Sequence, residues 1–210
     1  MTHPLQADTV CIVDDDPAVR RAVERLLRSA GLRAVTFESA AAFLERQDPD
    51  ASGCVVLDVT MPGLDGLGLQ EELARIDGSI PIVFLTGNGD IPMSVRAMKG
   101  GAADFLTKPC SDEQLLEAIR AALEAGQRSR EEHAEVHDFR SRLASLTPRE
   151  HEVMLHVVAG KLNKQTAAEL GSAEKTVKVH RSRVMQKLGA STLAELVRMA
   201  ERAGLTQSMR

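Results

Sequence analysis

The 210-residue chain contains no apolar run approaching the ~20 residues that span a bilayer, and its first residues, MTHPLQADTV, lack the basic-then-apolar layout of a secretion signal. The expectation is a cytoplasmic protein with no membrane partner. Cysteine is scarce: Cys11, Cys54 and Cys110 are odd in number, widely spaced and form no CxxC pair. Two of them fall in strand-like segments, so the set reads as reduced thiols of a core. Cys110, directly after Lys108-Pro109, is the one with a redox alternative. No repeat with a period of roughly 20–50 residues recurs, which argues against solenoids and propellers.

Hydrophobic content of 43% and charged content of 27% are ordinary for a globular protein, so the pattern must carry the argument. Charge is uneven. Residues 1–125 hold 11 Lys/Arg against 20 Asp/Glu (net −9), residues 126–142 hold 4 against 4, and residues 143–210 hold 11 against 6 (net +5). An acidic front and a basic back imply two domains with different partners, the second partner a polyanion.

In the front half, apolar runs alternate with amphipathic segments. Strands are expected at Val10–Val13, Ala34–Phe37, Val55–Leu57, Ile80–Leu85 and Asp104–Leu106. Helices are expected from Pro17, after a Ser39 cap, near Leu67–Ile76, near Pro92–Lys99 and after a Ser111 cap. Five strands alternating with five helices give an α/β fold with a parallel sheet. The polar stretch 126–142 reads as a linker that could continue the last helix. Its His133 and His137 stand at a metal-binding spacing but have no further ligands nearby, so a solvated face is the better reading. From Leu143 the pattern is all-helical: Thr147 and Glu150 form a capping box with Pro148 in the first turn. Three more helices follow, and the turn at Gly171–Ala173 has the helix-turn-helix layout.

The strand ends carry the chemistry. Asp14, Asp15 and Asp16 follow the first strand, Asp58 the third, Thr86 the fourth and Lys108 the fifth, all at the rim where open parallel sheets bind ligands. Clustered carboxylates repel unless a cation neutralises them, and hard oxygen donors suit Mg²⁺. Lys108 and the Thr86 hydroxyl add a charge and a donor suited to phosphate.

VDDDP, LDVTMPGLDG, LTG and FLTKP resemble the receiver domain of two-component response regulators, over roughly residues 8–125. The resemblance implies a five-stranded, doubly wound (flavodoxin-like) receiver in which Asp58 takes a phosphoryl group from the phosphohistidine of a sensor histidine kinase. It implies Mg²⁺ held by Asp14, Asp15, Asp58 and the backbone carbonyl of Thr60, with Lys108 and Thr86 on the phosphoryl oxygens and Asp16 as a helix cap. It also implies a switch in which Phe105 rotates as Thr86 moves inward. The responsive face would lie around Ala97, Lys99 and the Asp104–Leu106 strand, favouring a homodimer on phosphorylation.

The segment LTPREHEVMLHVVAGKLNKQTAAELGSAEKTVKVHRSRVMQKLGASTLAEL, within residues 143–208, resembles the LuxR-type helix-turn-helix, an all-α four-helix domain. The whole chain is thus similar to FixJ-like, NarL-family transcription regulators, whose partners are promoter DNA and RNA polymerase. On the third helix of this domain, Val177, Arg181, Val184 and Leu188 share a core-facing stripe at ~100° per residue. Lys175, Lys178, Val179, Ser182, Arg183 and Gln186 face outward toward a major groove. Asn163, Lys164, Thr176, His180 and Lys187 lie toward the rim, suited to phosphates, with packing an alternative for His180. Thr166 stands where relatives carry a large aliphatic, and Ser172-Ala173 where they carry an aliphatic and a Ser cap; Ser172 is expected to cap one residue early. The chain therefore reads as a phosphorylation-dependent transcription regulator rather than an enzyme beyond its own phosphoryl transfer and dephosphorylation. The alternatives are a regulator that ignores phosphorylation, disfavoured by the complete pocket, and an aspartyl-phosphate phosphohydrolase, disfavoured by Thr60 where such enzymes place a second carboxylate.

Overall fold

A computed structural model describes residues 9–45, 53–76, 80–87 and 89–205; residue 8 and residues 206–208 of the expected domains fall outside them. The chain divides into two compact units, Met1–Arg130 and Glu131–Arg210.

The first unit alternates β1 (Thr9–Val13), α1 (Pro17–Ser29), β2 (Arg33–Phe37), α2 (Ala40–Glu45), β3 (Cys54–Leu57), α3 (Gly66–Ile76), β4 (Ile82–Thr86), α4 (Ile91–Lys99), β5 (Asp104–Thr107) and α5 (Asp112–Leu143). All strand pairs are parallel, in the order β2-β1-β3-β4-β5. The three central strands are buried throughout, because helices cover both sheet faces and every side chain meets apolar neighbours. Cys11, Val13, Val55, Leu57 and Phe84 pack on α2, α3 and α4 through Phe43, Leu69, Leu73 and Ala97. Val10, Ile12, Val56, Val83 and Leu85 pack on α1 and α5 through Val23, Leu27, Leu115 and Ile119. Truncating a fully buried side chain such as Ile119 to Ala removes about 2–5 kcal/mol.

Local chemistry sets the element ends. Asp16 Oδ1 accepts from Ala18 N at 2.7 Å and caps α1, with Pro17 in the first turn. Ser39 Oγ accepts from Ala42 N, and Ser111 and Gln114 cap α5 reciprocally. β4 begins at Ile82 rather than Ile80. Pro81 has no N–H to give the ladder, although its carbonyl still accepts from Val55 N at 2.9 Å. Burial pushes the Cys54 thiol up to about 12, as a reduced core cysteine requires. Burial also raises Cys110, which disfavours the reactive thiolate and with it the redox alternative.

Helix α5 does not stop near residue 125 but covers the whole polar stretch 126–142. That stretch contains no proline and one glycine, and its charges pair along the helix, as Arg142 does with Asp138 at 2.8 Å. Residues of α5 from Glu131 onward belong to the second unit. There Phe139, 1% exposed, joins the core of α6 (Pro148–Val158), α7 (Asn163–Glu169), α8 (Glu174–Leu188) and α9 (Leu193–Arg202). The Thr147/Glu150 capping box at α6 is present with both bonds formed. Ser172 does not cap α8. The N-cap is Ala173, with no side-chain bond.

Thr166 on α7 is 1% exposed and its hydroxyl has no hydrogen-bond partner. Burying such a group unpaired costs about 1–3 kcal/mol. Thr166→Val keeps the shape and removes the hydroxyl, so it should raise the stability of the second unit by roughly 1 kcal/mol. Denaturant titration followed by circular dichroism measures this; an unchanged or lower midpoint would show that the hydroxyl is satisfied in solution.

Candidate functional site

Parallel strands that end together bring their terminal residues together. Asp58 N–H donates to Val13 O at 2.9 Å and Lys108 N–H to Thr86 O at 2.7 Å, so the backbone itself aligns the ends of β1 with β3 and of β4 with β5. The loop after β3 is held by Gly66. A Cβ at that position would collide with the Asp58 carbonyl oxygen and the Val59 Cα, so only glycine lets α3 start this close to the aspartate.

At this rim the Lys108 ammonium lies 2.7 Å from Asp14 Oδ2 and 3.2 Å from Asp58 Oδ2. Asp14 Oδ1 accepts from Asp16 N at 2.8 Å, and Asp58 Oδ1 from Thr60 N at 3.3 Å. Asp14 and Asp58 are buried, whereas Asp15 is exposed. Asp14, Asp15 and Asp58 each place a carboxylate oxygen within 4.8 Å of the others, the candidate metal cluster among the described residues. Burial raises the Asp14 carboxyl above its ordinary range, against the opposing hydrogen bond from Lys108. Burial pulls Lys108 down, but Asp14 and Asp58 outweigh it and hold the ammonium above the usual lysine range. One ammonium thus stands among three carboxylates and leaves Asp14 incompletely compensated. An all-oxygen set open on one side fits a hard divalent cation such as Mg²⁺.

Thr86 is fully buried at the end of β4. Phe105 on β5 is half-buried, its ring 5.9 Å from Phe84 and leaning over Gly89. Arg20, which the sequence reading missed, donates from Nη1 to the Asp14 carbonyl at 2.6 Å and steadies the acidic turn from α1. Gln70 was missed as well. It is buried, and its Nε2 donates to Ala97 O at 2.9 Å, tying α3 to α4. Its only sequence signal was a polar residue on an apolar helix face. Ala97, expected on an exposed face, is fully buried; the exposed apolar side chains of α4 are Ile91, Val95 and Met98.

The second site is the outer face of α8. Val177, Val184 and Leu188 are buried, while Lys175, Lys178, Val179, Ser182, Arg183 and Gln186 are exposed together. Arg181 reaches past the core edge and donates to Asn163 Oδ1 at 3.3 Å. Lys164 and Thr176 are exposed, and His180 is half-buried with its Nδ1 enclosed and unpartnered. Lys187 is engaged differently from the rim role expected of it: its Nζ lies 2.6 Å from Glu150 Oε2 and 3.1 Å from Ser145 O. Arg149 likewise donates to Leu170 O at 2.6 Å, at the C-terminal end of α7. By contrast the side chains of Lys164, Lys175, Lys178 and Arg183, with Arg198 on α9, make no hydrogen bond or ion pair among the described residues. Cations held by carboxylates and carbonyls shape the unit; unpaired ones remain for a polyanion.

Fold and site together define a receiver with an acidic pocket at its strand ends, followed by a helix-turn-helix unit. Comparison with known proteins agrees. Residues 10–120 match the response regulator receiver domain, and residues 144–200 match the bacterial regulatory proteins of the luxR family. Nodulation protein W of Bradyrhizobium diazoefficiens is 51% identical over 197 residues, covering 94% of this chain and 87% of that protein. The transcriptional regulatory protein FixJ of the same organism is 42% identical over 196 residues, covering 93% and 96%. The solved structure of the response regulator StyR superposes with a TM-score of 0.80 at 48% identity, covering 93% and 99%. The chain belongs to the two-component response regulators with a LuxR-type DNA-binding domain, and it is a transcription regulator of that family.

The Glu150–Lys187 pair gives the second unit a defined acid response. The hydrogen bond from Lys187, with help from the Thr147 N–H, lowers the buried Glu150 carboxyl to about 2. A carboxyl lowered on folding contributes stability above its ordinary pKa of about 4.3 and loses it as pH falls through the folded value. Glu150→Gln should therefore be less stable than wild type at pH 6, with the gap closing as pH approaches 2. Denaturation midpoints across that range measure it, and a gap independent of pH would contradict the pairing.

Proposed function

We propose that Asp58 is the phosphoacceptor and that its phosphorylation, by a sensor histidine kinase, controls promoter binding by α8. The observation that carries this reading is the Lys108 ammonium bridging Asp14 and Asp58 at the strand ends. An Asp58 carboxylate oxygen attacks the phosphorus of a phosphohistidine. The P–O bond forms as the P–N bond breaks, and the leaving imidazole nitrogen keeps the electron pair. On this reading Lys108 follows the incoming phosphoryl oxygens as the aspartate loses its charge, and the Thr86 hydroxyl donates to one of them. Asp14, Asp15, Asp58 and the Thr60 carbonyl would hold Mg²⁺, which when bound supplies charge neutralisation for the transferring phosphoryl group. Catalysis of this kind is positioning plus electrostatics. The protein performs only its own phosphoryl transfer and dephosphorylation.

The output reading rests on the exposed set of α8. Val179, Ser182 and Gln186 suit base edges and thymine methyls; Lys164, Lys175, Lys178, Thr176 and Arg183 suit phosphates. Asn163 and His180 are the remaining rim candidates, and Lys187 is reassigned from phosphate contact to support of α8. The exposed Ile91, Val95 and Met98 on α4, beside Phe105 on β5, support a homodimer formed on phosphorylation. Joining two copies multiplies affinity for paired half-sites without new contacts. No helix among the described residues is long and apolar enough to cross a membrane, and a cytoplasmic regulator recruiting RNA polymerase is the reading that fits DNA as partner.

The test is phosphate uptake from acetyl phosphate with Mg²⁺, read by intact mass. One phosphate should add to wild type, none to Asp58→Asn, and uptake should stop with EDTA. Uptake by Asp58→Asn equal to wild type would overturn the assignment.

A further inference from the structure

We propose that Arg142 is a positioning residue for DNA recognition and that residues 131–143, outside the 144–200 luxR-family match, work as part of the DNA-binding unit. The proposal rests on α8 being the element that reads DNA. Phe139 roots this last stretch of α5 in the second core, with Val136 packed beside it. Two arginines then act at helix ends. Arg140 donates to Ala203 O at 3.3 Å, at the C-terminal end of α9, and Arg142 donates to Leu188 O at 3.4 Å, the last residue of α8. The guanidinium of Arg142 is aimed by Asp138, 2.8 Å away on its own helix. It lies against Gly189, where any other residue would place its Cβ, and Gly189 itself ends α8 at φ 70° with Ala190 N–H bonded to Met185 O at 3.0 Å.

Helix α8 is anchored unequally. At its start, Ala173 supplies no side-chain cap. At its end, Arg142 meets Leu188 O while Lys187 meets Glu150 and Ser145 O. Val177, Val184 and Leu188 seat α8 in the core along its length and Arg181 meets Asn163; Arg142 and Lys187 add the anchors of its C-terminal end, and the base-reading positions lie along the arm. At 1.5 Å per residue, Val179 stands about 13 Å from Leu188, so a tilt of about 5° displaces it by about 1 Å. A displacement of that size is enough to spoil a geometry that needs placement within about 0.5 Å. Phosphate contacts made by flexible Lys and Arg side chains tolerate it. Loss of Arg142 should therefore degrade discrimination between sequences while leaving non-specific affinity intact. An exposed cation touching phosphate would do the reverse.

The experiment uses the full chain with acetyl phosphate and Mg²⁺. Two duplexes of equal length serve as probes, one selected from random DNA by the wild-type protein and one scrambled. Arg142→Ala should lower the selected-over-scrambled affinity ratio about tenfold, the scale of one mismatched base pair. Affinity for the scrambled duplex and its salt slope should stay at wild-type values. Arg142→Lys, which keeps a donor for Leu188 O, should recover part of the ratio. Lys178→Ala should instead keep the ratio and flatten the slope by about one unit. A wild-type ratio in Arg142→Ala overturns the proposal. So does a parallel loss on both duplexes, which would mark a phosphate contact if the slope flattens and general unfolding if the helical signal falls. Val179→Glu separates the two readings. If it keeps the wild-type preference, α8 does not read bases and the underlying assignment fails; if it loses preference while Arg142→Ala keeps it, only the role of Arg142 fails.

Discussion

The receiver depends on a charge imbalance built at the end of a parallel sheet. Asp14, Asp15 and Asp58 crowd within 4.8 Å, and the single Lys108 ammonium reaches two of them. Around that imbalance the fold is closely packed. The central strands are apolar on both faces, the backbone bonds Asp58–Val13 and Lys108–Thr86 align the strand ends, and Gly66 admits α3 against the Asp58 carbonyl. A site left short of positive charge, yet held in place by a close-packed sheet, could hold a metal ion. Thr86 ends β4 at the same rim, Phe105 stands on the neighbouring β5, and on α4 the apolar Ile91, Val95 and Met98 stand in solvent.

In the second unit the controlling constraint is how its cations are distributed. A net charge of +5 over residues 143–210 gives the sign of the partner but overstates what is available to it. Within that range Arg149 and Lys187 are directed at the Leu170 carbonyl and at Glu150, and just before it the α5 pair Arg140 and Arg142 are directed at carbonyl oxygens. Cations at helix C-termini offset the negative end of the helix dipole, so these groups stabilise and orient helices. Lys164 at the start of α7 and Lys175, Lys178 and Arg183 on α8 are left exposed.

Most of the fold was legible because its signals are local: buried strands as aliphatic runs, helices from caps at Asp16, Ser39, Ser111 and Thr147, and the pocket from acids and a lysine at strand ends. What the sequence hid was non-local. Lys187 reads as a rim cation by periodicity, and only packing of α8 on α6 brings it to Glu150. Ala97 sits on a helix with exposed neighbours, but its own azimuth points into the core. Ser172 has the chemistry of a cap at a position whose geometry belongs to Ala173. The stretch 126–142 reads as a linker or a continued helix because its apolar residues are few, and only the structure shows that Phe139 among them is a core residue of the second unit. Arg20 and Gln70 act through backbone carbonyls, which leave no trace in side-chain patterns.

The central claim is that the charge state of Asp58 governs DNA binding. The most direct test measures the affinity of the full-length chain for its selected duplex before and after treatment with acetyl phosphate and Mg²⁺, with Asp58→Asn treated alongside. The account predicts that treatment tightens binding of wild type by tenfold or more, roughly the gain that linking two half-site contacts provides, and leaves Asp58→Asn unchanged. Equal affinity before and after complete phosphorylation of wild type would contradict it.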